Sequence, residues 1–186
     1  MPVSTAQFKN GMCIIIDGKK YVIIEFQHVK PGKGGAFVRT KVRDIKTGRV
    51  IDRTFNAGEK FDDVRLEKHD LQYLYNDGSE YYFMNVDTYE QFSFPTEFIG
   101  DKAVWLKEND VVEIMYADEE AISIEPPMFV ELEVTETEPG FKGDTVQGGG
   151  KPATLETGAV VTVPMFVNIG DKLKIDTRDG RYVTRL

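Results

Sequence analysis

Short apolar runs, some alternating with polar residues and some continuous, are separated along the chain by glycine-containing turns. Ile14-Ile15-Ile16 and Tyr21-Val22-Ile23-Ile24 flank Asp17-Gly18. Asp-Gly readily takes the positive φ of a tight turn, so this stretch predicts a hairpin. The device recurs where Leu71 to Tyr75 and Tyr81 to Val86 flank Asn76-Asp77-Gly78, and where Leu173 to Thr177 and Tyr182 to Leu186 flank Asp179-Gly180. Further β-rich stretches run from Phe129 to Val134 and from Ala159 to Val167. Helical signal is weak. The best stretch lies between Thr96 and Asn109, with Thr96 as N-cap and Phe98, Val104 and Leu106 as apolar contacts. Gly100 interrupts it and predicts a shorter helix. The pattern as a whole predicts an all-β chain of short strands at the spacing of small barrels.

Two boundaries follow. The charge balance changes sign near Asp62–Leu66, and Glu125-Pro126-Pro127 resists continuing a central strand. The expected domains are therefore 1–65, 66–127 and 128–186. Pieces of about 60 residues are small for independent cores, so each is expected to pack on a neighbour. Residues 1–65 hold 13 Lys/Arg against 7 Asp/Glu, while residues 66–186 hold 10 against 24. The net charge of −8 thus hides a basic end and an acidic body. A basic end can meet phosphate while an acidic body limits indiscriminate RNA binding. No apolar run approaches the roughly 20 residues that span a bilayer, which predicts no membrane association. The first residues carry no basic stretch leading into an apolar one, so no secretory signal is expected. Cys13 is the single cysteine and cannot form an internal disulfide, which fits a cytoplasmic protein.

The most informative segment runs from Gln27 to Arg39. Pro31 cannot donate a ladder hydrogen bond and restricts Lys30. Gly32, Gly34 and Gly35 permit backbone angles closed to other residues. Strand-like sequence lies on both sides, so the segment predicts a protruding hairpin with Lys33 at its tip. On the return arm Phe37, Arg39, Lys41 and Arg43 share one face of a period-2 strand, and Val38, Thr40 and Val42 share the other. Three cations on one face, with Lys30 and Lys33 nearby, favour contact with nucleic acid over an ordinary solvated face.

Other chemistry is thin. A phosphate-binding P-loop fails because Gln27 stands where the first glycine belongs and Gly34 where a hydroxyl belongs. His28, His69 and Cys13 show no metal-ligand spacing, and no serine lies in a nucleophile elbow. No catalytic residues, metal or bound cofactor are expected.

Phe26 to Gly34, followed by Ala36-Phe37-Val38-Arg39, resembles the tip hairpin of the elongation factor P family. Tyr73-Leu74-Tyr75-Asn76-Asp77-Gly78 resembles the opening of that family's middle domain. Val130-Glu131-Leu132, Glu138-Pro139-Gly140 and Lys142-Gly143-Asp144-Thr145 resemble its third domain. Lys151-Pro152-Ala153-Thr154, Thr157-Gly158, Val163-Pro164 and Gly170 resemble its signature, and Tyr182-Val183-Thr184-Arg185 its last strand. The resemblance implies an SH3-like barrel followed by two OB-folds in an L shape. It implies binding between the peptidyl and exit sites of the ribosome, contact with both subunits and with peptidyl transfer RNA, and relief of stalls at consecutive prolines. It further implies a covalent extension on Lys33 made by a separate enzyme, a monomer, and RNA contacts at Gly143, Asp144, Thr145, Tyr182 and Arg185. Two other readings stay open: a paralogue with a different target set, and a general OB-fold RNA binder.

Overall fold

The computed structural model describes residues 2–140 and 149–186. It is all-β, with three antiparallel sheets and little helix. The first sheet contains β1 (Pro2–Ser4), β2 (Cys13–Ile16), β3 (Lys19–Val29), β4 (Phe37–Asp44), β5 (Val50–Asn56) and β6 (Lys60–Val64), in the order β1-β6-β2-β3-β4-β5. The second contains β7 (Leu66–Asn76), β8 (Glu80–Asn85), β9 (Gln91–Pro95), β10 (Val111–Ala117) and β11 (Glu120–Glu125), in the order β11-β10-β7-β8-β9. The third contains β12 (Phe129–Thr137), β13 (Lys151–Leu155), β14 (Val160–Val163), β15 (Lys172–Asp176) and β16 (Arg181–Arg185), in the order β14-β13-β12-β15-β16. Among the described residues no helix is long and apolar enough to cross a membrane. Contacts group the chain into two compact units, Met1–Lys68 with Met115–Ile122, and His69–Ile114 with Ser123–Leu186.

The turns form for the reasons their sequences suggest. Asp17 and Gly18 take φ of 50° and 74° between β2 and β3. In the Asn76-Asp77-Gly78 turn, Gly78 takes φ 95°, and the Asp77 carboxylate accepts the N–H groups of Ser79 and Glu80 at 2.9 and 2.8 Å. Those donors hold its carboxyl well below the usual carboxylate range. The β10–β11 hairpin has no such signature. β10 and β11 meet at Asp118-Glu119, both with positive φ and neither a glycine. Asp118 tolerates this because it exchanges two hydrogen bonds with Arg65: its N–H donates to the Arg65 carbonyl at 2.9 Å, and its carboxylate accepts the Arg65 N–H at 3.0 Å. Lys20 adds a bond from Nζ to the Ala117 carbonyl at 3.2 Å and an ion pair to Glu120 at 3.1 Å.

The interruption expected at Gly100 is found, while the Thr96 cap and the end of one strand are corrected. The helical stretch is a single α turn, Thr96–Ile99, followed by a 3-10 turn, Gly100–Trp105. The break lies at Gly100, whose φ of 56° ends the α turn. The residue before the helix is Pro95, and the Thr96 hydroxyl donates to the Ser79 carbonyl at 2.8 Å instead of capping. The strand expected over 159–167 stops at Val163, because Pro164 has no N–H to continue the ladder.

In the first unit the core is Phe8, Ile14, Ile16, Tyr21, Ile23, Val38, Val42 and Phe55, and Cys13, Val64 and Ala117 form a second cluster. Burial pushes the Cys13 thiol up to about 11, so it is neutral at physiological pH. In the second unit Val130, Leu132, Val134, Leu155, Val161, Leu173 and Ile175 close the third sheet on itself, with Val104 and Trp105 packed against them. Gly180 suits that turn because its φ is 70°, a left-handed angle that favours glycine, and the Trp105 ring lies within ordinary contact of the position.

Asp176 is a buried carboxylate at the end of β15. Arg178 grips it from Nε at 2.9 Å and from Nη2, and its own N–H adds a third bond at 3.1 Å. The Arg178 guanidinium is the main reason the carboxyl is lowered to about 2. A group with a depressed folded value stabilises above its unfolded value of about 3.9 and loses that contribution as pH falls through its folded value. Asp176→Asn should therefore melt below the unsubstituted chain at pH 7, and the gap should narrow between about pH 4 and pH 2. Calorimetry at several pH values checks this, and a gap that stays constant contradicts it.

Candidate functional site

The hairpin of β3 and β4 is the longest two-stranded feature of the first unit. Its ladder pairs Phe26 with Thr40, Gln27 with Arg39, His28 with Val38 and Val29 with Phe37. Pairing stops there, leaving Lys30–Ala36 as the connection. An aromatic cluster fixes its base. Phe8 meets Phe26 and Phe55 edge-on at 6.1 Å each, Phe55 meets Phe61 at 4.6 Å, and Phe26 meets His28 at 5.6 Å. The Ala57 N–H also donates to the Ala36 carbonyl at 3.0 Å.

Lys30, Pro31, Gly32, Lys33, Gly34 and Gly35 are all exposed. A Cβ at Gly32 or Gly35 would meet no atom within 4 Å. Only Gly34 needs to be glycine on backbone grounds, because its φ is 107°. Lys33 makes no hydrogen bond or ion pair with any described residue. The arrangement is a paired stem on an aromatic base, ending in an exposed ammonium that no described residue engages.

The charge stripe has the expected alternation. Val38, Thr40 and Val42 are buried, Arg39 and Arg43 are exposed, and Lys41 is half-exposed. The three cations are not equivalent. Lys41 lies 3.6 Å from Glu25 and stands opposite Asp52 on β5. Arg39 stands between the neutral Gln27 and Thr54, with its guanidinium 5.6 Å from the Phe37 ring. Arg43 stands between Val22 and Val50. Two cations of the stripe thus project without a local counter-charge across the ladder, and the third is partly neutralised.

Tyr182 and Arg185 lie on β16 in the other unit. Tyr182 is half-buried against the third core. Arg185 is partly committed, 3.4 Å from the Asp171 carboxylate and 5.1 Å from the centre of the Phe166 ring. Gly143, Asp144 and Thr145 lie outside the described residues. A buried lysine, Lys151, was not expected from the sequence pattern. It occupies an inward position of β13, in line with Ala153 and Leu155.

Comparison with known proteins bears on the whole chain. Residues 4–61 match the family model described as the elongation factor P KOW-like domain, residues 66–124 that of the elongation factor P OB domain, and residues 130–185 that of elongation factor P, C-terminal. Elongation factor P of Pelotomaculum thermopropionicum is 55% identical over 184 residues, spanning 99% of this chain and 100% of that protein. Elongation factor P of Caldanaerobacter subterraneus subsp. tengcongensis is 52% identical over the same span. Among solved structures, a translation initiation factor 5A from Methanococcus jannaschii superposes with a TM-score of 0.56 at 24% identity, covering 68% of this chain and 92% of that one. At that identity the likeness speaks to the fold alone.

Proposed function

Since the chain belongs to the elongation factor P family, translation factors and not enzymes, we propose that it binds the ribosome between the peptidyl and exit sites and stimulates peptide-bond formation at consecutive prolines. The observation that carries this reading is Lys33, an exposed and uncommitted ammonium at the end of a stem whose base is locked by aromatic packing. Proline is a poor nucleophile in a rigid ring, and a proline-rich nascent chain restricts the geometry of peptidyl transfer RNA. A cation held along the acceptor end stabilises the productive orientation, which is catalysis by positioning, while the ribosome performs the chemistry. Lys33 serves there as a point charge and hydrogen-bond donor. A stiff stem matters because every rotor left free would have to be ordered at the moment of reaction.

In this reading the factor is a cytoplasmic monomer that meets both ribosomal subunits, and a separate enzyme extends Lys33. The exposed glycines around Lys33 leave room for both the enzyme and the added group. Arg39 and Arg43 meet RNA phosphate, and Gly143, Asp144, Thr145, Tyr182 and Arg185 serve a second RNA contact. Mass spectrometry of the protein from its own host should show added mass on the Lys33 peptide; unmodified Lys33 in growing cells contradicts the modification.

The stripe gives a graded prediction. Arg39→Ala and Arg43→Ala should each lower the slope of log affinity for ribosomes against log salt by about one unit, as loss of one phosphate contact does. Lys41→Ala should lower it by less, because Glu25 and Asp52 already offset that charge. Equal slopes for all three variants and the unsubstituted chain would mean the stripe faces solvent. The reading itself is tested by sedimentation with ribosomes stalled at consecutive proline codons. Enrichment on stalled over running ribosomes is expected, and equal binding to both and to free RNA would make the chain a general RNA binder.

A further inference from the structure

The first sheet carries a polar row whose side chains its folding leaves unused. Gln27 on β3, Arg39 on β4 and Thr54 on β5 stand directly opposite one another across the ladder, so their side chains share one face. Three strands at a spacing of about 4.8 Å make the row about 10 Å wide. All three residues are exposed, and they line a groove of about 640 Å³. Neither the Gln27 side-chain amide nor the Thr54 hydroxyl makes a hydrogen bond with any described residue, and Arg39 makes no ion pair with one. The group that Arg39 does meet is the Phe37 ring, 5.6 Å from its guanidinium. A guanidinium lying over a ring keeps its donor edge free for a bidentate contact with phosphate.

The rows of the other two cations differ. Lys41 stands between Glu25 and Asp52, which already offset its charge, and Arg43 stands between Val22 and Val50, whose side chains offer no hydrogen bond. Of the three rows, only that of Arg39 sets a free cation between two neutral groups that can both donate and accept. A bare phosphate needs donors alone. A ribose 2′-hydroxyl both donates and accepts, and it is the group by which a protein tells RNA from DNA. The row is also close to the tip. It lies two residues below the last ladder pair, Val29 with Phe37, which is about 7 Å along the strands. An RNA whose end reaches Lys33 would pass this row.

We infer that Gln27, Arg39 and Thr54 form a ribose-reading site, in which Arg39 holds a backbone phosphate and Gln27 and Thr54 engage the 2′-hydroxyls on either side of it. This rests on the reading of Arg39 as a phosphate contact. The competing role is an ordinary solvated strand face. The test uses the full chain and ribosomes stalled at consecutive proline codons, with the acceptor stem of the peptidyl transfer RNA made with ribose or with 2′-deoxyribose. Gln27→Met and Thr54→Val keep the size of each side chain and remove its hydrogen bonds, and valine suits a strand at least as well as threonine. Each should weaken binding to the ribose complex about fivefold, as loss of one neutral hydrogen bond does. Neither should change the salt slope, because neither removes a charge. The deoxy complex should bind the unsubstituted chain more weakly, and the double variant should bind both complexes alike. Thr54→Ser keeps a hydroxyl and should bind as the unsubstituted chain does. If either Gln27→Met or Thr54→Val binds the ribose complex as tightly as the unsubstituted chain, or if the deoxy penalty persists undiminished in the double variant, the ribose-reading site is overturned. Arg39→Ala tells two failures apart: a lowered salt slope in that case leaves the phosphate reading standing, and an unchanged slope removes it together with the inference.

Discussion

Alanine in place of Lys33 should abolish the gain in consecutive-proline synthesis and leave the melting temperature almost unchanged. The two halves of this expectation have separate causes. The side chain is exposed, touches no described partner and sits among glycines with open space around them. Truncating such a residue changes stability by about 0.5 kcal/mol or less, which is about 1–2 °C for a chain of this size. The functional loss is large because the stem has no other cation at its tip except Lys30, which flanks Pro31 at the ladder's end. Groups that position a reactant contribute through geometry, and a neighbour displaced by several ångströms does not replace them. Lys33→Arg is the informative companion: it keeps the charge but changes the chemistry available to a lysine-modifying enzyme. The assay is synthesis of a consecutive-proline reporter in a reconstituted system. Undiminished stimulation by Lys33→Ala would mean the tip has no part in the stimulation.

The second large effect concerns the frame. Phe83 is fully buried at the centre of β8 and meets the rings of Tyr73 at 5.4 Å and Phe94 at 5.7 Å. Phe83→Ala removes most of a ring and leaves a cavity in a small sheet, at a cost of about 3–5 kcal/mol. That is comparable to the whole stability of many small domains, about 5–15 kcal/mol. The second sheet should then unfold at a much lower denaturant concentration. The core around the Lys33 stem is built from other residues, among them Phe8, Ile14, Ile23, Val38 and Phe55. Denaturant titration followed by tyrosine and tryptophan emission measures the effect. A loss below about 1 kcal/mol would mean the ring is not an organising element of that sheet.

Much of this was legible in the amino-acid sequence where the cause is local. Asp17-Gly18, Asn76-Asp77-Gly78 and Asp179-Gly180 each mark a hairpin, because the positive φ of a tight turn is a property of a few adjacent residues. The alternation of Arg39, Lys41 and Arg43 with Val38, Thr40 and Val42 is legible for the same reason, since pleating has a period of two. What depends on distant residues was not legible. The Asp118-Glu119 hairpin has no glycine, and its strained turn is held by Arg65, 53 residues away. The 3-10 turn after Gly100 persists because Val104 and Trp105 pack on the third core. Pairing of Lys41 with Glu25 follows from a register shift between Ile23 and Glu25 that no pattern in β3 announces. The burial of Lys151 exists only once β12, β13 and β14 are assembled.

The proposed function is to help the ribosome form peptide bonds at consecutive prolines. It is tested most directly by purified protein, isolated from its own host, in a reconstituted translation reaction. Two templates differ only in a run of three proline codons or three alanine codons. Adding the protein should raise the yield from the proline template several-fold and leave the alanine template unchanged. Equal stimulation of both templates, or of neither, would contradict it.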